Sequence, residues 1–116
     1  MRKYTHQFMV GEPQDYLPPL TDDELDAVVE NIAEFAGVKP QRLRNGACTD
    51  KARPYRDALW WILNKKYGMS HRGIQAFFQA SRTTVQAGIA LAQDDEDRQM
   101  ARSVILARMN RMGLGR

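Results

Sequence analysis

Residues 70–85 read SHRGIQAFFQASRTTV, and the fold turns on this stretch. Two short helices are expected, Ser70 to Phe78 and Ser81 to about Ala92, because each opens on a serine whose hydroxyl can cap the free amides of a first turn. A helix-turn-helix needs an apolar residue in its first helix, a second one turn later, a compact turn, and an apolar anchor in the next helix. Ile74, Phe78 and Val85 supply those side chains. With Val85 inward, helical spacing turns Ser81, Arg82, Thr83, Gln86 and Ala87 outward, at the end of a helix that can enter a major groove.

The chemistry of those outward residues suits base reading. Arg82 can give two hydrogen bonds to guanine O6 and N7, Thr83 can set a methyl against thymine, and Gln86 can bridge adenine N6 and N7; with Ser81 they form the expected reading set. Ser70, His71, Arg72 and Thr84 are expected on the sugar-phosphate backbone, where contacts position a protein without reading sequence. The same spacing also describes a helical hairpin whose Ser-Arg-Thr-Thr is only a solvated cap.

Outward from this stretch the chain reads as further helices. Upstream, Thr21 with Glu24 forms a capping box, Leu25, Val28, Val29, Ile32 and Ala36 make one apolar stripe, and Gly37 supplies a left-handed stop. Pro40 to Arg44 has room for one short helix closed by the turn dipeptide Asn45-Gly46. Pro54 suits the first turn of a longer helix whose buried side is Tyr55, Leu59, Ile62 and Leu63, up to a stop at Gly68. Gly88 permits close approach of the second reading-stretch helix to its neighbours. Of Trp60 and Trp61, one belongs in the core and the other over a seam. Downstream, Asp94 to Asp97 place four acids at the positive end of a last helix, with Arg102, Arg108 and Arg111 in its second half.

The expected fold is therefore all-α, five to six helices around a central helix-turn-helix. Residues 1–19 are expected to be an arm, 20–112 the helical domain and 113–116 a frayed tail. At 116 residues, 43% hydrophobic and 27% charged, the chain has the balance of one globular domain. Its longest apolar run, Ala58 to Leu63, is six residues, far below the roughly 18 needed to cross a bilayer. A lone cysteine, Cys48, rules out an internal disulfide and suits a reducing cytoplasm. Neither His6, His71 nor Cys48 has a motif-spaced partner, so no catalytic pair and no zinc set is expected.

Charge is laid out unevenly. Residues 21–37 carry six acids and no base, whereas 38–72 carry nine Lys/Arg against Asp50 and Asp57. Concentrated cations of this kind suit a polyphosphate. Arg44, Lys51, Arg53 and Arg56 are the candidates for tracking phosphates or entering a narrow minor groove.

The run from Asn31 to Leu91 resembles the C-terminal DNA-binding domain, domain IV, of the bacterial chromosomal replication initiator DnaA. IAEFAGVKPQRL, KARPYRDALWWILNKKYGMS and IQAFF followed by TTV fall in the family's order. The resemblance implies a Trp-repressor-like helical module whose basic loop reaches the minor groove and whose second motif helix reads the major groove. Thr83 and Thr84 match the family's paired threonines and Arg53 the arginine of its Ala-Arg-Pro step. Ser81 and Arg82 stand where the family has Asp and His. No phosphate loop of the form GxxxxGK[ST] is present, which implies a stand-alone module without the ATPase and without a nucleotide cofactor.

The function expected is sequence-specific binding of double-stranded DNA in replication-initiation control or transcriptional regulation, in a cytoplasmic, nucleoid-associated bacterial or phage protein. A homodimer or a regulatory protein partner is expected, with no membrane and no chemistry. The alternative is an interaction module that engages a replication or transcription partner through the acidic helix, Asp22 to Glu34, without specific DNA binding.

Overall fold

The computed structural model describes residues 16–45 and 50–114. They form six helices: α1 (Asp22–Ala36), α2 (Pro40–Arg44), α3 (Arg53–Lys65), α4 (His71–Phe77), α5 (Arg82–Asp94) and α6 (Glu96–Arg111). Among the described residues there is no strand, only one parallel backbone bridge between Asn45 and Gln79. No described helix is long and apolar enough to cross a membrane. The all-α expectation holds.

Local sequence sets the helix ends. Thr21 accepts from the Glu24 amide at 2.9 Å while the Glu24 carboxylate accepts from the Thr21 amide at 2.7 Å, so the capping box forms as read. Gly37 takes φ +74° and donates its amide back to Ala33 and Glu34, a left-handed closure that a side chain would strain. The stripe of α1 is buried, with Ala33 added to it.

Helix α3 is the centre of the fold: it packs against α2, α4, α5 and α6. Seven of its thirteen residues are buried, which is why its apolar block carries no single exposed face. Trp60 is fully buried and meets Phe78 edge-on at 5.8 Å. Trp61 is half-buried, donates its indole N–H to Gln93 at 2.8 Å, and lies under the Arg102 guanidinium at 3.8 Å. The two tryptophans thus divide between core and seam.

A polar cluster sits inside this core. Asp57 is fully buried. One of its oxygens accepts from Arg56 at 2.9 and 3.1 Å, and the other from Arg98 of α6 at 2.8 Å. Arg98 also pairs with Asp95 at 3.1 Å, so the cluster holds two cations and two anions. That hydrogen bond from Arg98 holds the Asp95 carboxyl below its ordinary range. Against the carboxylate lies Gly88 of α5: a Cβ there would come within 2.5 Å of Asp57 Oδ1 and 2.9 Å of Trp60 Cε3.

Three boundaries differ from the sequence reading. The end of the arm is packed: Leu17 donates its amide to Lys66 at 2.8 Å, and Tyr16 lies over Gly68. Leu114 returns its amide to Met109 at 2.9 Å and packs on the core, so residues 113 and 114 are not frayed. Asp94 ends α5 and does not begin α6; Asp95 alone separates the helices, closing one and capping the other. His6, Gly46 and Cys48 lie outside the described residues.

At an exposed helical site Gly→Ala stabilises by roughly 1 kcal/mol. Gly88→Ala is expected to do the reverse, losing about 1–3 kcal/mol through overpacking against a carboxylate that two arginines hold in place; a higher melting temperature in the variant would refute the contact. Asp57→Ala takes the buried carboxylate away from Arg56 and leaves Arg98 with Asp95, and is expected to cost roughly 3–5 kcal/mol in urea unfolding.

Candidate nucleic-acid interface

Helices α4 and α5 are joined by the four residues 78–81. Ser70 caps α4, accepting from the Gly73 amide at 3.1 Å, and Ser81 caps α5, accepting from the Thr84 amide at 3.1 Å. Ile74, Phe78 and Val85 are each fully buried. The three apolar anchors read from the sequence therefore meet in the core. Arg82, Thr83, Gln86 and Ala87 are exposed on the first two turns of α5.

Two of the expected contact residues are occupied by the cap. The Ser81 and Thr84 hydroxyls lie 2.9 Å apart, and Thr84 is half-buried. Ser81 is exposed, but its oxygen already serves the helix terminus. The side chains with uncommitted reach along α5 are thus Arg82, Thr83 and Gln86.

The turn also anchors the basic segment. The Gln79 amide donates to the Arg44 carbonyl at 2.8 Å, the bond behind the Asn45–Gln79 bridge. Arg44 itself pairs with Asp26 of α1 and lies over the Phe77 ring at 5.1 Å. It acts as a strut between α1 and α4. Lys51 and Arg53 are exposed, Arg53 with a surface pair to Asp50 at 3.2 Å, and exposed pairs of this kind are worth little. Lys51 Nζ lies over the end of α1, 3.0 Å from where a Gly37 Cβ would stand, a cation against the negative end of a helix.

Arg56 requires correction. It is 5% exposed, bound to Asp57 and stacked 4.5 Å over Trp60. Its place in α3 puts it one turn before Trp60 and beside Asp57, so the aromatic face and the carboxylate draw it inward and no phosphate can reach it. The basic-loop set is reduced to Lys51 and Arg53.

The residues expected on backbone and those expected on bases share one recess. A cavity of about 710 Å³ is lined by Ser70, His71, Arg72, Gln75, Ala76 and Arg82. Gln75 and Ala76 were missing from the sequence-derived set; they follow one turn after His71 and Arg72, a helical spacing that could have revealed them. Burial, the Arg82 charge and the Lys65 charge at the end of α3 all lower the His71 pKa below 6.5. The recess is a cationic space whose histidine is held neutral.

Comparison of the chain with known protein families, with curated proteins and with solved structures finds no match.

His71 is expected to titrate below 6.5 when its ring is followed by NMR, and Arg82→Ala should move that titration upward. An unfolded chain binds this proton more readily than the folded one, so stability rises with pH here. The contribution is complete above about pH 6.5, the unfolded value, and is lost as pH falls through the lower folded one. Urea melts across this window check the sign.

Proposed function

We propose that this chain binds double-stranded DNA through a helix-turn-helix of the Trp-repressor and DnaA domain IV type, with the start of α5 in the major groove. The observation that carries the reading is the division of α5: Val85 is fully buried, while Arg82, Thr83 and Gln86, within one turn of it, are exposed. Arg82 and Gln86 have the bidentate geometry that distinguishes bases, and Thr83 the methyl and hydroxyl that add to it. Lys51, Arg53 and Arg72 supply cations for the backbone, with Lys51 and Arg53 in the segment expected at the minor groove. The protein would act without chemistry of its own, at the nucleoid, in replication-initiation control or transcription.

One observation favours a second reading, that of a protein-interaction module with a regulatory partner. Helix α1 exposes Asp22, Asp23, Glu30 and Glu34, and Glu30 and Glu34 line a cavity of about 460 Å³ with Ala27, Asn31, Val38 and Pro40. A basic peptide segment would suit it.

Duplex binding measured across salt decides between them. Neutralising about three phosphates gives a log–log slope near −2.7, and Lys51→Ala should reduce it by about 0.9 while weakening all sequences alike. Arg82→Ala should cost roughly 1–3 kcal/mol and relax sequence preference. Selection from a random duplex pool should yield an enriched motif with the native chain and a weaker one with this variant. Absent or salt-insensitive binding would leave the acidic helix as the better account.

A further inference from the structure

The recess between α4 and α5 joins side chains from two helices around one space of about 710 Å³. Arg72 and Arg82 bring permanent positive charge, and Ser70 and Gln75 bring neutral polar groups. His71 is half-buried in the same wall. The charged groups that face it are Arg82 from α5 and Lys65 from the end of α3, with Arg72 beside it on α4; no carboxylate is among the groups that shift it.

We propose that this recess seats one phosphodiester of the duplex backbone, and that His71 takes up a proton as the phosphate enters. The inference rests on the reading of the chain as a duplex binder and adds to it a regulation by pH. The chemistry is that of charge balance. In the free protein burial, and after it the Arg82 and Lys65 charges, disfavour a positive charge on the imidazole, and the ring stays neutral near pH 7. A phosphodiester adds one negative charge, which offsets the arginines and favours the imidazolium, whose N–H groups are both donors. The proton comes from solvent and sits on the imidazole; no covalent bond of the nucleic acid changes. Binding and protonation then reinforce each other, so affinity rises as pH falls through the window between the free and bound titrations of His71.

For one linked proton the affinity can change by up to about tenfold per pH unit. The test measures binding of the full chain to a fixed duplex from about pH 8 to about pH 5.5 at constant ionic strength. Affinity is expected to increase about threefold per unit across the lower part of that range, and about tenfold in all. The chain has two histidines: His71→Gln should flatten the slope, and His6→Gln should keep it. NMR of the native protein gives an independent readout, since saturating duplex should raise the His71 titration by about one unit, whereas inorganic phosphate at equal phosphate concentration should leave it in place. Duplex binding that is flat in pH, a slope that survives in His71→Gln, or a His71 titration unmoved by duplex would each overturn the proton uptake while leaving DNA binding intact. An equal response to inorganic phosphate would overturn the assignment to the backbone and make the recess a free-phosphate site. Failure to bind duplex at any pH would remove the underlying reading along with it.

Discussion

The contact between Gly88 and the Asp57 carboxylate fixes where α5 can sit, and the rest of the molecule depends on it. Any side chain at residue 88 would enter the space of Asp57 Oδ1 and the Trp60 ring, so only a bare backbone approaches α3 this closely. With that point set, Val85 falls into the core one turn earlier and Ile89 and Ala92 follow below it. Arg82, two turns before the contact, then has to stand at the free end of the helix. The surface offered by α5 is thus a consequence of packing some way down the same rod.

Ions in a core are expensive to desolvate, and apolar replacements are often no less stable. What the cluster around Asp57 supplies is direction. Arg98 reaches both Asp57 of α3 and Asp95 at the corner between α5 and α6, and a planar guanidinium with fixed donors tolerates few arrangements of its acceptors. Asp95 also accepts from the Arg98 amide as the cap of α6. One arginine therefore ties the central helix to the corner that ends α5, while Gly88 seats the middle of α5 and Phe78, edge-on to Trp60, seats its start.

Much of this could be read from sequence because it is local and periodic. The capping box at Thr21, the serine caps at Ser70 and Ser81, and the anchors Ile74, Phe78 and Val85 depend on neighbours within a turn or two. Arg56 was misplaced for the opposite reason. Counting charge along residues 38–72 groups it with the loop, but its environment comes from helical phase and from Arg98, which meets Asp57 across 41 positions. Leu17 and Leu114 have no periodic context, and only tertiary contacts show that they pack. The corner at Asp95 leaves no loop signal, since one residue serves both helices. In the site, Arg82 and Gln86 could be picked out individually, whereas the recess could not, because its walls come from two helices.

The uneven charge finds part of its explanation in the pairing of Arg44 with Asp26. That pair spends one acid and one base to brace α1 against the segment leading to Asn45, whose bridge to Gln79 ties it to the turn before α5. The remaining acids of α1 belong to a helix that packs on α2 and α6, while α5 packs on α3, α4 and α6. Lys51, over the end of α1, sets a second cation against that acidic helix, so part of the charge of the two stretches is balanced locally.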